Sequence, residues 1–333
     1  MKLLFLRPFS SSDTKYLTDS LSKDYEIIIP NDFSENNLVK LIGNIDVCLG
    51  NNISKTVLNN GEKLKVFQVP GAGVNQLDLD MFCRKGVKVG NSHSNALYVA
   101  EYTISLLFTL LKKTHHHDRF MREGTWFRPS GDERDLPYLS DTIFGKKLGF
   151  LGFGNIGQRI ALYLSGFSLD ALVFSKSNRV MFENSYFKEK IHFTSLANVL
   201  KESDVLFITL PLTKETRNLL SFNNFTYLNK GIYLINVSRA EIIGKKELDE
   251  GLLKGTIQGA ALDVWYNDIY EDNSKKYPSK EYPFHNLDNV VLSPYRAGYV
   301  KQMTSHLEGV VENLLVYVRE GRLKYVVNMG KGY

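Results

Sequence analysis

Three glycines at a fixed spacing constrain this chain most. Gly152-Phe153-Gly154-Asn155-Ile156-Gly157 follows an apolar run (KKLGFL, 146–151) and opens a helical pattern (QRIALYLSGF, 158–167). In that setting the first glycine permits a tight turn and the second lets backbone amides approach a pyrophosphate. The third lets the helix lie close on the sheet, and the helix N-terminus offers N–H groups to the phosphates. Outside a strand–turn–helix context the same spacing would carry little weight, because structural glycine turns occur in other α/β folds.

The rest of the chain supplies that context. Strand-like apolar runs stand at 2–6, 26–29, 45–50, 64–69 and 87–91, with helical stretches such as 34–42 and 77–85 between them. A second series follows at 146–154, 171–175, 192–193, 205–211, 232–238, 260–265 and 290–294. Strands alternating with helices imply crossover connections and parallel sheets. The expected architecture is α/β: two doubly wound parallel-sheet domains, Rossmann-type and smaller flavodoxin-like, with an interdomain cleft. A faint internal echo supports two related sheets, since IDVCLGN (45–51) resembles SDVLFITLP (203–211) and LKVFQVPGAG (64–73) resembles IYLINVSRA (232–240). The loops at 70–74 and 238–241 are the candidates to face each other. A long helical pattern runs from about 95 to 117, and another from about 300 to 319 returns to the first domain. The predicted division is therefore 1–95 with 300–333 for substrate, and 96–299 for the dinucleotide.

Length and composition agree with two globular domains: 333 residues, 43% hydrophobic and 23% charged. A net charge of +5 without a Lys/Arg block does not predict nucleic-acid binding. Cys48 and Cys83 both sit in apolar segments and read as buried core cysteines rather than a disulfide framework. The N-terminal apolar run is broken by Arg7 and Pro8, and the apolar helix at 96–111 carries Glu101 and is too short to span a bilayer. The expectation is a cytoplasmic protein without membrane attachment. The run His115-His116-His117 does not predict a metal site, because adjacent helical residues point about 100° apart.

The residue that reads the adenine-side ribose stands near the end of the next strand, where a carboxylate would select the 2′-hydroxyl. Here the chain reads Phe174-Ser175-Lys176-Ser177-Asn178-Arg179. With no acid in that turn, hydroxyls and cations suit a 2′-phosphate. NADP(H) is expected over NAD(H).

At this point the order of motifs resembles the D-2-hydroxyacid dehydrogenase family over nearly the whole chain. The matching stretches are PGAGVNQLDLD (70–80), NALYVAEYTISLLF (95–108), GFGNIG (152–157), LPLTKETRNLL (210–220), INVSRAEIIGKKELDEGLLKG (235–255), GAALDVW (259–265) and NVVLSPYRAG (289–298). The resemblance implies hydride transfer between a nicotinamide and C2 of a small 2-oxo or 2-hydroxy acid. It implies Arg239 as the carboxylate and carbonyl clamp, and backbone amides of Ala72 and Gly73 as further carboxylate ligands. It places Asn155, Ile156, Leu210, Pro211, Thr216 and Val237 with the cofactor, and Asp263 near the nicotinamide amide. It also implies a homodimer built through the segment from about 95 to 140. The apolar face of Ile104, Leu106, Leu107 and Leu110 fits either that interface or a core.

Two catalytic positions depart from the family pattern. The glutamate expected five residues after Asp263 is Asp268, shorter by roughly 1.5 Å. The histidine expected after the proline of VVLSP is Tyr295, which exchanges a group titrating near about 6.5 for one near about 10. A phenol whose pKa is lowered by Arg239, or by Arg296, against the opposing charge of Asp268, still donates a proton. That favours reduction over oxidation. The alternatives are that Tyr295 only fills volume, that His285 enters the site, or that the protein is a silent NADP(H)-binding sensor or scaffold. A last alternative is the same scaffold acting on a shifted substrate such as a phosphonate. The rings of Tyr266, Tyr270, Tyr282 and Tyr299 surround these motifs and read mainly as packing.

Overall fold

The computed structural model describes residues 1–126, 138–167, 169–182, 188–272, 274–301 and 306–333. The chain forms two compact units, Met1–Asn95 with Val300–Tyr333, and Ala96–Tyr299.

The first unit is built on five short strands: β1 (Lys2–Phe5), β2 (Glu26–Ile28), β3 (Val47–Leu49), β4 (Val66–Gln68) and β5 (Lys88–Gly90). They pair in parallel in the order β2-β1-β3-β4-β5. Side chains alternate between the two faces of this sheet, so neighbours in sequence enter different cores. Leu4, Cys48 and Phe67 join one cluster, while Leu3, Phe5, Val47, Leu49 and Val66 join the other. Being buried on both faces is why these strands read as continuous apolar runs. Four crossover helices, α1 (Ser11–Leu21), α2 (Glu35–Ile42), α3 (Lys55–Asn60) and α4 (Leu79–Arg84), are capped by Ser10, Ser34, Ser54 and Asp78, whose side chains accept first-turn N–H groups.

The C-terminal helix Glu308–Glu320 lays Val310 and Leu314 on the same core as Leu3 and Phe5. A buried amide pair anchors it: Asn313 Nδ2 donates to Gln68 Oε1 at 2.7 Å and to Tyr325 O at 2.9 Å. Both side chains are fully buried, so each donor and acceptor needs its partner. Gly90 makes room for them, since a Cβ there would lie 2.4 Å from Gln68 Oε1 and 2.6 Å from Asn313 Nδ2.

The second unit starts with α5 (Ala96–Lys112) and α6 (Thr114–Arg122). A single helix to about 117 was expected. It breaks at Lys113, which adopts φ 56° in the left-handed region and ends the hydrogen-bond ladder of α5. Leu106, Leu107 and Leu110 are buried in the unit's own core and Ile104 packs against it, so this apolar face is core. Seven parallel strands follow: β6 (Leu148–Leu151), β7 (Ala171–Phe174), β8 (Ile191–Phe193), β9 (Val205–Ile208), β10 (Ile232–Asn236), β11 (Ile257–Leu262) and, after the antiparallel hairpin β12 (Tyr270–Asp272) and β13 (Lys275–Tyr277), β14 (Val290–Leu292). The order is β14-β11-β10-β9-β6-β7-β8. The chain reverses direction between β6 and β9, and in such sheets ligands sit beyond the carboxyl ends at that reversal. The connecting helices include α7 (Asn155–Leu164), α8 (Leu196–Glu202), α9 (Phe222–Phe225) and α10 (Lys245–Leu253).

One cysteine departs from expectation. Cys48 is buried, but Cys83 is exposed, because α4 turns Met81 and Phe82 inward and leaves Cys83 on its outer side. Among the described residues no helix is long and apolar enough to cross a membrane. No group of three metal-ligating side chains occurs among them either.

Candidate active site

The glycine turn stands at the β6–β9 reversal. Gly152 has φ +90°, and a Cβ on it would meet Leu210 N at 2.9 Å and Thr209 C at 3.0 Å. A Cβ on Gly157 would meet Gly152 O at 2.9 Å and Thr209 Oγ1 at 3.0 Å. These two positions are therefore closed by the protein itself. Gly154 differs: it is the N-cap of α7, no side chain caps it, and a Cβ there would meet nothing within 4 Å. Open space in front of an uncapped helix start, where Asn155 and Ile156 begin α7, fits a phosphate-bearing cofactor.

Beyond β7, the Ser175 hydroxyl accepts from Ser177 N–H at 3.4 Å and the Ser177 hydroxyl accepts from Arg179 N–H at 3.3 Å. Lys176 is ion-paired with Glu215. The turn holds no acid of its own, yet the fold brings one to it from the segment after β9. Nothing local could reveal this; the signal was the glutamate in LPLTKETR. In that same segment Thr216 Oγ1 donates to Pro211 O at 2.6 Å and accepts from Thr213 N–H at 2.8 Å, so its hydroxyl holds the turn closed beside Leu210. Val237 is buried at the end of β10.

Arg239 follows β10 on a loop shaped by Asn236. The Asn236 side chain donates to Arg239 O at 2.9 Å and accepts the Ser238 N–H at 3.1 Å. The guanidinium donates to Ser238 O at 2.7 Å. Burial pulls its pKa below the usual guanidinium value, opposed by the charges of Glu241 and Tyr295. Glu241, two residues on in the 3-10 turn Ala240–Ile242, is a second acid that the sequence reading did not single out.

Asp263, after β11, organises the turn after β14. Its carboxylate accepts the Ser293 hydroxyl and the N–H groups of Arg296 at 2.7 Å and Ala297 at 2.9 Å. Its backbone carbonyl accepts Tyr295 N–H at 3.1 Å. Burial raises its pKa, and these donors pull the other way. Ser293 Oγ is also 2.9 Å from Tyr102 Oη of α5. Held this way, Tyr295 adopts φ 56°, which non-glycine residues rarely do. Its hydroxyl donates to Trp265 O at 2.8 Å and accepts from Trp265 N–H at 3.0 Å.

Two electrostatic expectations need correction. Arg239 does favour the phenolate of Tyr295, but burial is the largest effect, and Glu241 and Asp263 add to it. The phenol pKa is therefore raised, not lowered. The opposing acid is also not Asp268. That carboxylate is paired with Lys245 and takes the Ser279 hydroxyl at 2.8 Å, while the rings of Tyr266 and Tyr282 stand 5.7 Å and 5.2 Å from the Lys245 ammonium. Asp268 and Tyr295 therefore form no dyad. His285 packs on Tyr277 of β13 at 4.2 Å between ring centroids. Tyr270 pairs with Tyr277, and Tyr299 is exposed.

In the first unit, the turn carrying Ala72 and Gly73 is held by Asn91 Nδ2, which donates to Ala72 O at 3.0 Å, and by Ser92 N–H, which donates to Gly71 O at 3.0 Å.

Comparison with known proteins identifies this arrangement. Residues 104–297 match the family model described as "D-isomer specific 2-hydroxyacid dehydrogenase, NAD binding domain". A glyoxylate reductase of Pyrococcus horikoshii is 30% identical over 261 residues, covering 77% of this chain and 74% of that one. A glyoxylate reductase of Pyrococcus furiosus is 27% identical over 288 residues, 86% of this chain and 82% of that one. The crystal structure of the PH0520 protein from Pyrococcus horikoshii superposes with a TM-score of 0.81 at 28% identity, over 98% of this chain and 95% of that one. The chain belongs to the D-isomer specific 2-hydroxyacid dehydrogenase family.

Proposed function

We propose that this chain reduces a small 2-oxo acid, glyoxylate- or hydroxypyruvate-like, to the 2-hydroxy acid, with NADPH preferred over NADH. The observation that carries the reading is the half-buried guanidinium of Arg239 at the carboxyl end of β10, two strands from the glycine turn in the same parallel sheet. A guanidinium fork matches a carboxylate beside a carbonyl in both geometry and charge. The names of the two Pyrococcus relatives support the substrate class.

In this reading Gly154, Asn155 and Ile156 hold the pyrophosphate, with Gly152 and Gly157 shaping the turn. Ser175, Lys176 and Ser177 take the 2′-phosphate, and Leu210, Pro211, Thr216, Val237 and Asp263 border the rest of the cofactor. A bound reduced nicotinamide supplies the hydride. Arg239 orients the carboxylate and polarises the C2 carbonyl. The alkoxide forming there takes its proton from Tyr295, whose O–H leaves Trp265 O to do so. Burial keeps this phenol protonated at neutral pH, which serves reduction and not oxidation. Asp268 supports the fold of the loop through Lys245 and Ser279.

The homodimer belongs to the same reading, as does a cytoplasmic setting. Of the segment from about 95 to 140, residues 127–137 lie outside the described residues, and Met121, Trp126, Leu139 and Phe144 leave apolar surface exposed around it. A second reading, a silent NADP(H) sensor or scaffold, is favoured by one observation: the Tyr295 hydroxyl is already bonded on both its donor and acceptor sides. Oxidation of NADPH and NADH with glyoxylate, hydroxypyruvate, pyruvate and a bulkier 2-oxo acid tests the proposal. Turnover with NADPH supports the reductase, and NADPH binding without turnover of any of them supports the sensor.

A further inference from the structure

Gln158 follows the third glycine of the turn, in the first turn of α7, and it is 2% exposed. A primary amide carries two N–H donors and an oxygen acceptor. Burial denies it water, so each must find a partner in the protein. All three do. Nε2 donates to Phe153 O at 2.8 Å and to Arg179 O at 3.1 Å, and Oε1 accepts Met181 N–H at 2.6 Å. Only one orientation of the amide fits, because the other would aim its oxygen at two carbonyls. The residue's own N–H donates to Gly154 O at 3.1 Å. One residue is thus bonded to Phe153 and Gly154 inside the glycine turn, and to Arg179 and Met181 in the segment after β7.

That segment opens with Ser175, Lys176 and Ser177, assigned above to the 2′-phosphate. Residues 175–182 contain no helix or strand, so no backbone ladder fixes their place. Lys176 is paired with Glu215, while Arg179 is exposed. In NADPH the adenosine ribose limits how far the 2′-phosphate can stand from the pyrophosphate, so a protein that binds both needs two anion subsites at a matching spacing. We propose that Gln158 sets that spacing and is a positioning residue for the choice of NADPH over NADH. The inference rests on the NADPH reading above and extends it to a side chain that, being buried, offers the nucleotide no surface. Removing the amide leaves Phe153 O, Arg179 O and Met181 N–H without their partner, and the loop is the part that yields. The turn itself stays packed on Thr209 and Leu210 through Gly152 and Gly157. The loss therefore falls on the 2′-phosphate, which NADPH carries and NADH lacks.

The test is calorimetric titration of the full chain with NADPH and with NADH, without substrate, for the parent, Gln158→Met and Gln158→Glu. Methionine keeps the length and removes all three bonds. Glutamate keeps an acceptor for Met181 N–H but turns an anion on the two carbonyls. Both variants are expected to bind NADPH about tenfold more weakly than the parent, and NADH within about twofold of it. A second readout needs no substitution: in the parent without nucleotide, the Met181 amide should exchange its hydrogen at least about tenfold more slowly than an open chain. An NADPH-to-NADH affinity ratio equal to the parent's in either variant, or a Met181 amide exchanging as in an open chain, would overturn the inference and leave the NADPH reading standing. A parent that binds the two nucleotides equally would overturn both.

Discussion

The hydroxyl of Tyr295 is bonded to both polar groups of one peptide residue, accepting the N–H of Trp265 at 3.0 Å and donating to its carbonyl at 2.8 Å. The Trp265 hydrogen bond by itself favours the phenolate, and burial outweighs it. Burial disfavours the phenolate, so the pKa is raised above its ordinary value of 10.0 and the acid form is present throughout the neutral range. The rate of 2-oxo acid reduction should therefore hold level from about pH 6 to about pH 9, whereas an imidazole acid would lose activity as pH rises through about 6.5. Tyr295→Phe should lower kcat by about a hundredfold, the usual share of a positioned acid, and change KM little. Steady-state pH profiles of both proteins check this.

The two glycines of the turn predict opposite phenotypes. Gly152→Ala must place a Cβ 2.9 Å from Leu210 N at φ +90°, so loss of stability is expected. Gly154→Ala meets only open space, so its Tm should match the parent. Its NADPH affinity should fall by about tenfold or more as the methyl group takes the place of the pyrophosphate. Thermal melts paired with NADPH titrations separate the two.

Glu215 holds Lys176 at the turn proposed to read the 2′-phosphate. Glu215→Gln should free that ammonium and remove an anion, tightening NADPH binding by about two- to fivefold, as suits an exposed ion pair, with NADH nearly unchanged. Equal gains for both nucleotides would separate the effect from the 2′-phosphate.

His115 of α6 makes the fold acid-sensitive. Burial lowers its pKa from 6.5 to about 4, and His116, its ring tilted against it with 3.9 Å between centroids, is lowered in the same direction. Between those values the unfolded chain binds the proton that the folded chain refuses. Stability is therefore complete above about pH 6.5 and declines as pH falls toward about 4. Allowing for the partial exposure of the ring, the loss from His115 is about 1 kcal/mol, and His115→Gln should flatten the slope of Tm against pH.

Much of this was legible in the sequence. Strands such as β1, β3 and β9 are covered on both faces, so each is a continuous apolar run that only a parallel sheet explains. The glycine turn carried its own steric logic. The hairpin β12–β13 (YED and KKY) escaped notice because it is polar, and its cross-strand ring pair, Tyr270 with Tyr277, has no apolar periodicity around it. The break at Lys113 lies inside a pattern that is helical on both sides, and a left-handed lysine leaves no mark in composition. At the site, the positions of Arg239, Asp263 and Tyr295 followed from motif order, but their partners did not. Lys245 on Asp268, Glu215 on Lys176 and Trp265 on Tyr295 are pairings 20 to 40 residues apart in the chain. Such pairings exist only once the strand ends converge.

The most direct test of the central claim is glyoxylate-dependent oxidation of NADPH and NADH by the parent protein and by Arg239→Lys. The account predicts turnover that favours NADPH, and a fall in kcat/KM of about a hundredfold when the planar fork becomes a point charge. Turnover confined to NADH, or a lysine variant as active as its parent, would contradict it.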